Sequence, residues 1–80
     1  MATRASAAEK KRFLSLVRQI RLDAKLRQGD LARKLGKPQS FVSRYESGER
    51  RLDVLELRQI CVVLGVSLID FVNRLEGDAR

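Results

Sequence analysis

Gln39, Ser40, Ser43 and Arg44 fall within six consecutive positions, and all four are residue types that read the edges of base pairs. A Gln amide bonds adenine with two hydrogen bonds, an Arg guanidinium does the same with guanine, a Ser hydroxyl serves either, and an apolar group meets the thymine methyl. Phe41, in their midst, is a candidate for that apolar contact. Any solvent-facing helix carries Gln, Ser and Arg, so these types gain meaning only from the elements that position them.

Those elements read as two short helices joined by a tight turn, over residues 28–48. Leu31, Ala32 and Leu35 recur at helical intervals, Gly36 interrupts them, and Val42 and Tyr45 follow three apart before Gly48 stops the run. Gly36 and Gly48 suit positions just past a helix end, where a positive φ penalises any residue with a Cβ. Pro38 has no N–H to donate, and its fixed φ suits a first helical position, which places the second helix at about 39–47. With Val42 and Tyr45 turned to the core, Gln39, Ser40, Phe41, Ser43 and Arg44 fall on the open side.

The 80 residues suffice for one domain with a modest core, and no Gly/Ser-rich or Pro-rich linker divides them. The expected domain is 1–80, with a frayed start at 1–7, a core over 8–76 and the helix pair at 28–48. The 17 basic residues against 10 acidic ones give +7. Residues 1–52 hold 14 bases and 5 acids, whereas residues 53–80 hold 3 and 5. Such asymmetry suits a polyanion met by the N-terminal two thirds, with the remainder turned away or facing another protein. A membrane surface is also a polyanion, but a helix for it would set its bases opposite large apolar side chains with nothing else to pack on.

Other classes close on composition. No run of about 18 apolar residues is present to span a bilayer, and the Ala-rich start lacks the apolar core of a secretory signal. A cytoplasmic chain without membrane contact is expected. Cys61 stands alone, so it forms no internal disulfide, and there is no His to join it in a metal site or to act as its base. It lies on an apolar helical face and reads as a small core residue. Without His, a Gly-rich phosphate loop or an evident carboxylate pair, no enzyme, metal or cofactor is expected.

In chain order, Ser6 with Glu9 forms a capping box that opens a helix to about Lys25. Phe13, Val17, Ile20 and Ala24 mark its inner stripe, flanked by Leu14 and Leu16, while Lys10, Lys11, Arg18, Arg21 and Lys25 lie opposite. The helix pair opens at Gln28, where Arg27 is a poor cap but Asp30 complements the positive helix end. Gly29 costs about 1 kcal/mol in helix propensity relative to Ala. Two reasons compete: close backbone approach to a phosphate at a helix N-terminus, or simple fraying. After the basic loop Glu49-Arg50-Arg51-Leu52, Asp53 caps a helix over Val54–Leu64, with Leu57, Ile60, Cys61, Leu64 and Val54 inward. Gly65 ends it, and Ser67 with Asp70 starts a final helix to about Leu75. Val66, Leu68, Phe71 and Leu75 can fill the core. Five helices, no strand and short loops define an all-α compact bundle.

Residues 13–75 carry Ile20-Arg21, Gln28 with Leu31-Ala32, Leu35-Gly36, Gln39-Ser40 with Val42-Ser43-Arg44, Tyr45-Glu46-Ser47-Gly48 and Leu64-Gly65-Val66-Ser67. In these the chain resembles the Xre/Cro family of helix-turn-helix domains, the lambda-repressor-like DNA-binding unit of phage repressors and small bacterial regulators. The resemblance implies a five-helix fold with the helix-turn-helix at 28–48. It implies that Gln28 contacts a phosphate and braces Gln39, that Gln39, Ser40 and Arg44 face the major groove, and that Arg21 pairs with Glu46. Ser43, Ser47, Arg50 and Arg51, with Lys37, are implied to clamp the flanking phosphates. Arg27, Gly29 and Pro38 depart from the residues the family favours. So does Phe41, where something small or polar is usual; it is open to a thymine methyl, to a wedge beside the backbone, or to rest on Lys37.

The last third carries apolar residues beyond one core's need: Leu55, Val62 and Val63, with Ile69 and Val72 on the final helix. Such a patch is commonly a partner surface. Either the chain's own ends cover it or it forms a symmetric homodimer through the last two helices, which would set two recognition helices about 34 Å apart. The function expected is a sequence-specific double-stranded DNA-binding transcriptional regulator, a repressor or autoregulator controlled through its own dimerisation. The alternative is an antitoxin-type module whose C-terminal patch binds a partner protein. An RNA binder would want an exposed aromatic platform that the sequence lacks.

Overall fold

In the computed structural model, which describes residues 6–77, the first helix opens on a reciprocal cap. Ser6 Oγ accepts from the Glu9 backbone N–H at 3.1 Å, and Glu9 Oε1 accepts from that of Ser6 at 2.8 Å. The expected frayed start lies outside the described residues except for Ser6 and Ala7, which are the cap and first residue of α1 (Ala7–Asp23). This helix stops two residues short of Lys25, which takes a left-handed φ of 62°. The N–H groups of Ala24 and Lys25 turn back to the carbonyls of Arg21 and Leu22, at 3.1 and 2.9 Å. No Gly announces this end, which is why helical periodicity overran it.

Four helices follow: α2 (Gln28–Leu35), α3 (Gln39–Ser47), α4 (Val54–Leu64) and α5 (Leu68–Gly77). The described residues contain no strand. Gly36, Gly48 and Gly65 end α2, α3 and α4 with φ of 68°, 86° and 73°. In the turn between α2 and α3 the Lys37 N–H reaches the Ala32 carbonyl at 2.9 Å. Pro38 stands one place earlier than its φ alone implied, as the N-cap rather than the first helical residue. Its ψ of 155° is extended, and its carbonyl accepts from the Phe41 N–H at 3.0 Å. Asp53 Oδ1 and Ser67 Oγ cap α4 and α5, accepting from Glu56 N–H at 2.7 Å and Asp70 N–H at 3.1 Å.

The core gathers Val17 and Ile20 from α1, Leu31 and Ala32 from α2, Val42 and Tyr45 from α3, Leu57, Ile60 and Cys61 from α4, and Phe71 from α5. Each of the Val, Leu, Ile and Phe side chains among them, fully removed from water, contributes about 1.5–3 kcal/mol. Phe13 meets the Phe71 ring edge-on at 5.9 Å. Two assignments on α4 change: Val54, placed inward by sequence, is 63% exposed, and Val63, placed outward, packs against the core. At the first residue of a helix no preceding turn covers the side chain, whereas Val63 comes three after Ile60 and shares its face.

The helix pair is seated by contacts of α3 with α1 and α2, and of α2 with α4. Gly48 is the most closely packed of the glycines, since a Cβ there would lie 3.0 Å from Leu14 Cδ1 on α1. No described helix is long and apolar enough to cross a membrane.

Candidate nucleic-acid interface

The site is built on a charged group inside the protein. Arg21 is only 6% exposed. Its Nε and Nη2 donate to the two carboxylate oxygens of Glu46 at 2.7 and 2.9 Å, and Nη1 donates to the Leu26 carbonyl at 2.9 Å. The bond to Glu46 raises the Arg21 pKa above its ordinary value in spite of burial, which opposes it. Glu46 Oε1 also accepts from Gln28 Nε2 at 3.1 Å, and Gln28 Oε1 accepts a long bond from Gln39 Nε2 at 3.5 Å. One chain of hydrogen bonds therefore fixes the start of α3 to α2 and, through Glu46, to α1. A buried pair of this kind specifies geometry more than it adds net stability, because desolvation offsets most of its attraction.

That geometry leaves Gln39, Ser40, Ser43 and Arg44 exposed on the side of α3 away from Val42 and Tyr45. Arg44 Nε lies 3.5 Å from Glu49 Oε2 in an exposed pair, worth at most about 1 kcal/mol and easily exchanged for a ligand. Phe41 does not join them on the open side. It is half-buried, edge-on to Tyr45 at 5.5 Å, with Lys37 Nζ 5.5 Å and Arg50 Cζ 4.8 Å from its ring centroid. The signal was available: Phe41 and Tyr45 are four apart and so share a helical face.

The remaining basic and hydroxyl groups differ in freedom. Ser47 Oγ donates to the Arg44 carbonyl at 3.0 Å and accepts from Glu49 N–H at 3.3 Å, closing the end of α3. Arg50 is tied down: Nη1 and Nη2 reach the Glu56 carboxylate at 3.1 and 2.7 Å, and Nη1 also reaches the Arg51 carbonyl at 2.9 Å. The guanidinium of Arg50, helped by the Asp53 N–H, holds the Glu56 carboxyl well below its usual range, at about 2. This clamp across a loop has no periodicity to reveal it, and the sequence reading missed it. Lys37 and Arg51 are exposed.

The start of α2 holds a second arrangement that sequence showed only in part. Arg27 supplies no side-chain cap, and Asp30 reaches back instead, accepting from the Arg27 N–H at 3.0 Å and its Nε at 3.2 Å. These bonds pull the Asp30 carboxyl below its ordinary value. An open groove lies between Arg27, Arg33 and Gln39, and a Cβ on Gly29 along it would meet nothing within 4 Å.

On α4 and α5, Leu55, Val62, Ile69 and Val72 are 72, 62, 73 and 43% exposed, while Val63 leaves the patch for the core. Cys61 is wholly buried, and burial pushes its thiol pKa up, away from reactivity. Among the described residues no group of His, Cys, Asp and Glu is placed to hold a metal ion.

A helix-turn-helix family model matches residues 17–71, a span that includes the Arg21 network and all of α3. Among solved structures, an XRE-family like protein from Pseudomonas syringae pv. tomato str. DC3000 superposes with a TM-score of 0.84. It is 38% identical over 91% of this chain and 89% of its own. Curated proteins give no match.

Proposed function

The chain belongs to the Xre helix-turn-helix family of DNA-binding transcription regulators, and from that premise we propose a sequence-specific double-stranded DNA-binding repressor or autoregulator that acts as a homodimer. The observation that carries the proposal is the exposed polar face of α3, held in register by the Arg21–Glu46–Gln28–Gln39 chain. A recognition helix must present side chains without reorganising, and this one is fixed at its first residue and its eighth. Gln39, Ser40 and Arg44 take the base edges. Gln28, Lys37, Ser43 and Arg51 take phosphates, which position the helix without reading sequence. Ser47 and Arg50 serve the same backbone while stabilising the ends of α3 and α4. The function needs no catalysis, metal or cofactor.

Homodimerisation is supported by the exposed Leu55, Val62, Ile69 and Val72, which lie on the two C-terminal helices, apart from the polar face of α3. The same patch favours a second reading, in which a partner protein covers it and DNA binding is secondary. Selection of bound sites from random duplex DNA tests the main reading. A palindrome with half-sites about one helical turn apart is expected. Recovery of no enriched sequence, with a small protein copurifying in equal amounts, would favour the second.

A further inference from the structure

Phe41 is half-buried, packed against the edge of the core rather than standing on the open face of α3. Its ring edge lies on Tyr45, which is 1% exposed, and two cations of the α3 flanks lie over the ring. Both are within the roughly 6 Å at which an aromatic face attracts a cation. Lys37 precedes α3 in the turn, Arg50 follows it in the next loop, and Phe41 is the third residue of the helix between them. Lys37 makes no ion pair within 4 Å among the described residues and acts on Glu56 only at longer range, so the ring is its nearest partner, 5.5 Å from the ammonium. For Arg50 the ring backs a guanidinium with three of its five N–H groups engaged by Glu56 and the Arg51 carbonyl, leaving two for a ligand.

We propose that Phe41 is a positioning residue for backbone binding: its ring, seated on Tyr45, holds Lys37 and Arg50 at the two ends of α3, where they meet phosphates. The inference rests on the DNA reading above and deepens it. It gives a physical reason for an aromatic side chain where a small or polar one would free the Lys37 ammonium and leave Arg50 held by Glu56 and the Arg51 carbonyl alone. A flexible lysine loses side-chain freedom when it binds, and one already restrained loses less. The ring acts on affinity for every duplex alike, because phosphates carry no sequence.

The test uses the full chain and the best duplex from site selection, with Phe41→Leu, which keeps apolar volume, and Phe41→Tyr, which keeps the ring. Thermal unfolding first confirms that both variants fold. Phe41→Leu is expected to weaken binding roughly 3- to 10-fold on cognate and random duplexes alike. The slope of log K against log salt should shrink by about 0.9 for each cation that loses its place. Phe41→Tyr should restore both. In the free chain, ring-current shifts of the Lys37 and Arg50 methylenes should be present in wild type and lost in Phe41→Leu. An unchanged slope in Phe41→Leu, or a change of base preference at one position with the slope intact, overturns the assignment while leaving DNA binding standing. A wild-type chain that enriches no duplex overturns the DNA reading, and this inference with it.

Discussion

Arg21 and Tyr45 show how differently two buried polar side chains are treated in one core. The Arg21 guanidinium donates three hydrogen bonds, two to Glu46 and one to the Leu26 carbonyl, whereas the Tyr45 hydroxyl is buried without a hydrogen-bond partner. Removing one half of a buried ion pair strands the other, so Arg21→Ala is expected to cost about 3–5 kcal/mol in urea unfolding. Tyr45→Phe removes a group that already lacks a partner, and the same measurement should show unchanged or slightly higher stability. Equal losses from the two substitutions would mean that the hydroxyl has a partner. Glu56 offers a pH-dependent counterpart. Its carboxyl is depressed to about 2, first by Arg50 and then by the Asp53 N–H. The contribution of this pair is therefore complete above the ordinary Glu value of about 4.3 and is lost as the pH falls through about 2. NMR titration of Glu56 in Arg50→Ala should show the carboxyl rising toward its usual range, held slightly below it by the remaining backbone bond. A titration unchanged from wild type would dissolve the clamp. The Arg21 pair was legible only through the resemblance; the Arg50–Glu56 clamp was not legible at all, because tertiary folding of a loop brings it together.

At the scale of elements, two glycines test opposite halves of what holds the helix pair. Gly48 combines a φ of 86° with a Cβ position 3.0 Å from Leu14 Cδ1. Gly48→Ala should cost about 2 kcal/mol from backbone strain, with repacking of α1 added. Gly29 has neither constraint, and Gly29→Ala should raise stability by up to about 1 kcal/mol. Measured against a selected duplex, Gly29→Ala also separates the two readings of that position. Lower affinity in a more stable chain marks close backbone approach to a phosphate, and unchanged affinity marks a helix start that merely frays. The boundaries of α2 and α3 could be read because Gly36 and Gly48 end them and Pro38 precedes one of them. The end of α1 could not, since Lys25 adopts a glycine-like φ with no glycine to signal it. Val54 and Val63 exchanged places because Val54 sits at a helix start that no preceding turn covers, whereas Val63 lies three after Ile60 and shares its buried face.

At the scale of the whole molecule, charge and exposed apolar side chains lie in different parts of the chain, and the proposed dimer can be tested together with DNA binding in one measurement. Residues 1–52 hold 14 bases and 5 acids, and residues 53–80, where the exposed apolar patch lies, hold 3 and 5. A two-fold interface is self-complementary, so each substituted residue recurs across the symmetry axis. In the proposed dimer, Val62→Glu with Val72→Glu would therefore place four new carboxylates in the interface. Both positions are exposed in the single chain, so its helix content should not change. Sedimentation at tens of micromolar should give twice the 9.1 kDa chain mass for wild type and the single mass for the variant. Each protomer brings its own phosphate contacts, and log K falls by about 0.9 per phosphate neutralised. The salt slope of the variant on a palindromic duplex should accordingly drop to about half that of wild type, with each half-site still preferred. A monomeric wild type with a slope unmoved by the substitutions would end the dimer and leave the patch to a different protein. A dimer that persists in the variant would place the interface elsewhere. Only loss of mass and loss of slope together tie the apolar face of α4 and α5 to the spacing of two recognition helices.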